Sequence, residues 1–304
     1  MSLVEVKGLT KKFGKYKALD NVHMEINEGE IYGFIGPNGA GKSTTIRILL
    51  GMLKATSGEV KIFGNDAWED AVEIHKYLAY VPGEANLWPN LTGGEVIDIF
   101  LKMRGNGSKN KRDELIERFN LDPTKKCRAY SKGNRQKIAL ISAFASDAQL
   151  YILDEPTSGL DPLMERTFQE CVLEVKNEGK SVLLSSHILS EVEKLCDTIS
   201  IIREGKVIET GTLNEMRHLT RTNLHVQTKQ PLPSIQHMKG VHHVDNHSDG
   251  VSIQIDSEEL GTIIKFISDF GILKLESTPP TLEDLFLRHY ENSNSVASTG
   301  GRGI

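Results

Sequence analysis

The sequence predicts an α/β chain with a parallel-sheet core, an antiparallel β subdomain and a helical subdomain, followed by a small α+β domain. Three observations carry that expectation. A glycine-rich loop near the N-terminus lies between a short apolar run and a helical pattern. A later apolar run, Leu150-Tyr151-Ile152-Leu153, ends in Asp154 and Glu155, and strand and helix patterns alternate from about residue 146 to 215, as a parallel core requires. From about residue 222 to 291, alternating strand patterns return around a single helical stripe.

The elements follow in order. Residues 1 to about 66 read as antiparallel strands followed by the first loop and its helix. Ile31-Tyr32-Gly33-Phe34-Ile35 is short and apolar, which suits a buried strand. Gly36-Pro37-Asn38-Gly39-Ala40-Gly41-Lys42-Ser43 then fills the pattern G-x-x-x-x-G-K-[ST]. Glycine lets the backbone take φ > 0 and approach a ligand closely. The N–H groups of residues 39–43 are expected to form a nest for nucleotide phosphates. Lys42 would reach the β- and γ-phosphates, and the Ser43 hydroxyl would bind Mg²⁺. Thr44-Thr45-Ile46-Arg47-Ile48-Leu49-Leu50 reads as the helix whose N-terminus faces them. A chance glycine-rich turn would not bring strand, loop and helix in that order.

Composition bounds the function. The 304 residues suffice for one large and one small domain. A formal charge of −5 leaves no global basic footprint for nucleic acid. Met1-Ser2-Leu3-Val4-Glu5-Val6 lacks the basic and apolar regions of a signal peptide, and no run of eighteen apolar residues occurs. Cys127, Cys171 and Cys196 are far apart and odd in number, so reduced thiols in a cytosol are expected.

Residues about 67 to 145 are helix-rich, with Val96-Ile97-Asp98-Ile99-Phe100-Leu101 and 112–119 separated by the loop Arg104-Gly105-Asn106-Gly107-Ser108. The strand ending in Asp154-Glu155 is the expected partner of the phosphate loop. Asp154 is placed to hold Mg²⁺, and Glu155, one residue on, to polarise an attacking water. Taken alone, the same stretch could be a strand and a polar turn, because Pro156-Thr157-Ser158-Gly159 is turn-like.

At this point the chain resembles the nucleotide-binding subunit of ATP-binding cassette (ABC) transporters, over about residues 3 to 215. Ser158-Gly159-Leu160-Asp161 is similar to the family's D-loop, and Ser185-Ser186-His187 to its switch-histidine motif. Tyr130-Ser131-Lys132-Gly133-Asn134-Arg135-Gln136-Lys137 is similar to the start of the signature helix. The resemblance implies that Phe13 stacks on adenine, with Tyr16 as the substitute; an aromatic there could instead be core. It implies that Ser131 and Gly133 meet a γ-phosphate held by another subunit, although Ser131 also suits a plain helix cap. It further implies that His187 bonds the γ-phosphate and water, and that Asp161 helps set the subunit contact, where otherwise it is a turn Asp.

Two departures matter. Tyr80-Val81-Pro82-Gly83-Glu84 has Gly83 where the family carries a Gln that touches Mg²⁺ and water; Glu84 could serve instead, or be a solvent-facing loop residue. The signature has Lys132 for a Gly and Asn134 for the Gln. These variations resemble ATPases of bacterial multidrug or antibiotic exporters whose membrane subunits are separate polypeptides. In the family the helical insert, here about 84–145, carries the groove for the transmembrane subunit; Leu87, Trp88 and Leu91 are either contacts to it or ordinary packing.

The C-terminal domain, about 222–291, is compatible with a β-α-β-β-α-β arrangement, with a last helix opened by the capping box Thr281-Leu282-Glu283-Asp284, and an accessory or dimerising role is implied. The Ser/Gly-rich tail 292–304 is expected to be disordered.

The resemblance thus implies an ATPase using ATP and Mg²⁺, paired with a second cassette copy and held at the cytoplasmic membrane face by separate permease subunits. Two alternatives stand beside it: a non-transport ATPase of the family, and a regulatory ATP-binding module with little turnover.

Overall fold

A computed structural model describes residues 2–105, 107–218, 221–247 and 250–278. It parts into two compact units, Met1–Thr210 and Gly211–Ile304.

The first unit opens with strands β1 (Ser2–Phe13) and β2 (Tyr16–Asn27). Their alternating apolar residues, Val4, Val6, Met24 and Ile26, are buried, as a half-covered sheet requires. Val6 pairs with Met24 on one side and with Val60 of β4 (Ser57–Ile62) on the other, both antiparallel. With the short β5 (Asn65–Asp66) these strands form a sheet of order β2-β1-β4-β5.

A second sheet contains β3 (Ile31–Ile35), β6 (Leu78–Val81), β7 (Leu150–Asp154), β8 (Ser181–Ser186), β9 (Thr198–Arg203) and β10 (Lys206–Thr212), in the order β10-β9-β3-β8-β7-β6. Strands β6, β7, β8, β3 and β9 run parallel. Helices cover both faces of such a sheet, which explains the unbroken apolar runs. The hairpin turn between β9 and β10 has Glu204 and Gly205 both at positive φ, the conformation that matches strand twist.

Register places the chemistry. Ile35 pairs with Ser186, and Asp154 with Ser185. The loop after β3, the carboxylates after β7 and the histidine after β8 therefore leave the sheet at one carboxyl edge, where α/β sheets bind ligands.

Helix α1 (Lys42–Leu49) follows β3 and packs Ile46 and Leu49 into a core that Leu9, Leu19 and Phe34 share. Between β5 and β6 lies the one-turn α2 (Ala71–Ile74). Helix α3 (Gly93–Arg104) starts at a Thr92/Glu95 capping box and stops at Gly105, φ 74°. Ser108 caps α4 (Lys109–Arg118), and Ser131 caps α5 (Lys132–Phe144). Asp161 caps α6 (Pro162–Asn177), whose first residue is a proline. Arg118 clasps Glu174 through two bonds of 2.8 Å, tying α4 to α6. Helix α7 (Leu189–Leu195) separates β8 from β9.

The second unit holds α8 (Leu213–His218), β11 (Arg221–Thr228), β12 (Val241–His247), β13 (Gly250–Asp256), α9 (Leu260–Ser268) and β14 (Ile272–Thr278). Its sheet is antiparallel, in the order β12-β13-β11-β14. Ile263 and Ile267 of α9 bury themselves against Leu224, Val226, Ile253 and Ile255, at about 2 kcal/mol per side chain. The arrangement corrects one expectation: no helix joins β11 to β12. Pro231 and Pro233 stand in that connection, and two prolines so close remove helix donors and clash with the preceding turn. The expected final helix from Thr281 and the tail 292–304 lie outside the described residues.

Candidate functional site

The phosphate loop is shaped by close approach. A Cβ on Gly36 would lie 2.3 Å from the Ile202 carbonyl oxygen. Gly41 sits at φ 117°, with Leu19 Cδ2 at 2.7 Å from where a Cβ would be. Both positions therefore demand glycine. Gly41 is also the cap of α1, and no side chain bonds the first N–H groups of that helix. Asn38, Gly39 and Ser43 are exposed, Ala40 is buried and Thr44 is half-buried. Lys42 is 5% exposed. Its Nζ donates to the carbonyls of Gly36 at 2.6 Å and Pro37 at 3.3 Å, and lies 3.6 Å from Glu155 Oε1.

Across the sheet edge, Asp154 is buried and its Oδ1 has no hydrogen-bond partner. Burial raises its pKa; the Ser185 and Ser43 hydroxyls, then Lys42, pull the other way. A buried carboxylate oxygen without a donor is the arrangement a cation satisfies. Among the described residues no three His, Cys, Asp or Glu side chains stand close enough to hold a metal ion by themselves, so a cation would rest on Asp154, Ser43 and the ligand's own oxygens.

Glu155 occupies the left-handed region at φ 47°, a conformation that costs about 1 kcal/mol or more for a residue with a side chain. Its N–H donates to Ser185 O at 2.8 Å, which holds the bend. His187 Nδ1 is 3.4 Å from Glu155 Oε1. Lys42 and His187 thus converge on one carboxylate oxygen.

The remaining expected residues stand as follows. Phe13 is 49% exposed at the β1–β2 hairpin end, paired with Tyr16 and with Lys11 Nζ 5.1 Å from its ring centre, so it is not core. Ser131 bonds Asn134 N–H at 3.3 Å, and Asp161 bonds the N–H groups of Leu163 and Met164 at 3.1 Å; both act as helix caps in this chain. Gly133 touches the loop after Glu155: a Cβ there would lie 2.3 Å from Gly159 O, and Lys132 Nζ donates to Ser158 at 2.7 Å. At Gly83 a Cβ would be 3.1 Å from Asp154 O, so this backbone rests against the strand end. Glu84 is exposed, beyond that contact.

Two polar residues near the site were not anticipated. Gln136 is buried in α5 and donates to Pro82 O at 2.9 Å, tying the signature helix to the Gly83 loop. Glu191 is buried behind His187. The available signal was a polar residue within an apolar helical stripe, Gln136 before Ile138-Ala139-Leu140-Ile141, and Glu191 beside Val192 and Leu195.

Known proteins resemble this chain over most of its length. The ABC transporter family model matches residues 19–158, and that of the DrrA1-3-like ATP-binding protein C-terminal domain matches 211–290. The bacitracin transport ATP-binding protein BcrA of Bacillus licheniformis is 34% identical over 297 residues, covering 94% of this chain and 97% of the relative. The uncharacterized ABC transporter ATP-binding protein YhaQ of Bacillus subtilis (strain 168) is also 34% identical, over 293 residues, with the same coverage of both chains. A solved ATP-binding subunit of an ABC transporter superposes with TM-score 0.66 at 33% identity, over 71% of this chain and 92% of that one. A dimeric ATP-binding cassette bound to ADP and Pi superposes with TM-score 0.64 at 26% identity, over 69% of this chain and 98% of that one.

Proposed function

The chain belongs to the ABC transporter ATP-binding family and hydrolyses ATP, and from that premise we propose that it powers an exporter of drugs or antibiotics at the cytoplasmic membrane face. The observation that carries the catalytic part is the meeting of Lys42, Asp154, Glu155 and His187 at one sheet edge beside an uncapped helix N-terminus.

In this reading residues 36–44 wrap the phosphates with backbone N–H groups, and Lys42 exchanges its carbonyl partners for β- and γ-phosphate oxygens. Ser43 and Asp154 would hold Mg²⁺, which when bound neutralises charge on those oxygens. Glu155 takes a proton from the attacking water, and His187 bonds the γ-phosphate and orients that water. Ser131, Gly133 and Asp161 serve the site of a second copy, so two chains share two ATP sites head to tail.

Phe13 offers an exposed ring to adenine. Phe13→Ala should weaken ATP binding by about 1 kcal/mol, roughly fivefold in Kd, with turnover at saturating ATP little changed. If titration finds Phe13→Ala unchanged and Tyr16→Ala weakened, the stacking role passes to Tyr16.

The vacancy at Gly83 gives a second test. Glu84 could reach a Mg²⁺-bound water and link the site to the loop of Leu87 and Trp88. In the assembled complex, Glu84→Ala should slow or uncouple hydrolysis severalfold and Glu84→Gln should retain most activity. Wild-type transport in Glu84→Ala would mean that no side chain fills the Gln position.

The membrane partner has a candidate seat. A groove of about 510 Å³ is lined by Met52, Val72, Phe100 and Met103, with Trp88 packed on Phe100 at 5.9 Å. An apolar surface of this kind suits a segment of a permease subunit; among the described residues no helix is long and apolar enough to cross a membrane. Purified from membranes, the tagged chain should carry an integral membrane protein. Full ATP turnover with no such partner in any preparation would overturn the transport reading and favour a non-transport ATPase.

A further inference from the structure

Behind the switch histidine lies a buried acid that the hydrolysis scheme does not use. Glu191, in the first turn of α7, is 4% exposed. Ser186, at the end of β8, donates its hydroxyl to Glu191 Oε2 at 2.8 Å and accepts the Ile188 N–H at 3.0 Å. These two bonds bracket His187, the residue between Ser186 and Ile188. No donor closes a well-shaped hydrogen bond on Glu191 Oε1, which is buried.

The surroundings do not favour an acid for packing alone. Burial pushes the Glu191 carboxyl up to about 7; the Ser186 and Thr157 hydroxyls pull it down and Glu165 of α6 raises it. Cys196, at the end of α7, also senses its charge. An apolar side chain of similar volume would be buried there without leaving an oxygen unmatched. The acid is instead placed where its bond to Ser186 fixes the turn that carries His187.

We propose that Glu191 is a positioning residue, whose carboxyl group holds the Ser186 hydroxyl and through it fixes the 186–188 segment, so that His187 keeps its spacing from Glu155 around the attacking water. The 3.4 Å contact between His187 and Glu155 is the distance this tie maintains. A shift of an ångström there is enough to cost a large factor in rate. The inference rests on the roles proposed for Glu155 and His187.

The test is phosphate release from MgATP by the full chain, with kcat and KM resolved. Glu191→Ala should lower kcat about tenfold or more while KM for ATP moves less than about twofold, since only the chemical step loses its geometry. Glu191→Gln keeps an acceptor for Ser186 and should recover most of that loss. Ser186→Ala removes the same bond from the other side, should lower kcat, and should add nothing to Glu191→Ala, as members of one unit do. Wild-type kcat in a folded Glu191→Ala would overturn the proposal, and so would a loss confined to KM or full additivity of Ser186→Ala. Should Glu191→Ala fail to fold, Ser186→Ala carries the test: a lowered kcat at unchanged KM supports the tie, and wild-type kcat removes it. Glu155→Gln, run in parallel, separates the two ideas. Retained turnover there refutes the role of Glu155, whereas lost turnover there with an unaffected Glu191→Ala refutes only the tie.

Discussion

Lys42→Ala should raise the Kd for ATP a hundredfold or more. The side chain is nearly buried, and its ammonium is already held at the loop by two carbonyls and Glu155. ATP therefore meets an oriented charge and does not have to order a flexible one. Deleting one partner of a buried charge pair costs about 3–5 kcal/mol, which corresponds to more than two decades in Kd. The change removes no apolar core side chain, so melting temperature should shift little in comparison. Titration with a fluorescent nucleotide at fixed Mg²⁺ reads the effect. ATP affinity equal to wild type in Lys42→Ala would contradict the assignment of residues 36–44 to phosphates.

Glu155→Gln should separate binding from chemistry. The amide keeps the size of the carboxylate and tolerates the same backbone bend, but it cannot accept the water's proton. Loss of a general base lowers rate by about 10²–10⁴-fold, and Kd for ATP should stay within a few fold. With hydrolysis blocked, the ATP-bound pair should persist: size-exclusion is expected to find monomer without nucleotide and dimer with ATP. If Glu155→Gln instead loses binding as Lys42→Ala does, Glu155 holds the nucleotide and is not the base. A variant that stays monomeric with ATP would point to an obligate partner of different sequence.

How much of this was legible in the sequence differs from part to part. The parallel core was, because buried parallel strands must be written as unbroken apolar runs, and Ile31–Ile35 and Leu150-Tyr151-Ile152-Leu153 are. The phosphate loop and the carboxylates of Asp154 and Glu155 stood out because their chemistry needs residue types at fixed spacing. The convergence of Lys42 and His187 on one oxygen of Glu155 was not legible. It depends on β3, β7 and β8 lying in register, and His187 lies 145 positions after Lys42 in the chain. Gln136 and Glu191 were missed for a related reason. A polar residue on a helix looks solvent-facing until the neighbouring elements cover it. In the second unit, Pro231 and Pro233 argue against a helix after β11, because proline lacks the N–H that a helix interior needs.

The contact between Gly133 and Gly159 bears on how this chain can drift over evolutionary time. The signature stretch departs from its usual form at positions 132 and 134, where the side chains are exposed or half-buried. Lysine even gains a bond there, to Ser158. Position 133 has no such freedom, because the Gly159 carbonyl occupies the space that any β-carbon would need. Substitutions can therefore accumulate on either side of an immovable centre. The motif's letters become hard to recognise while the backbone contact at its centre keeps its shape.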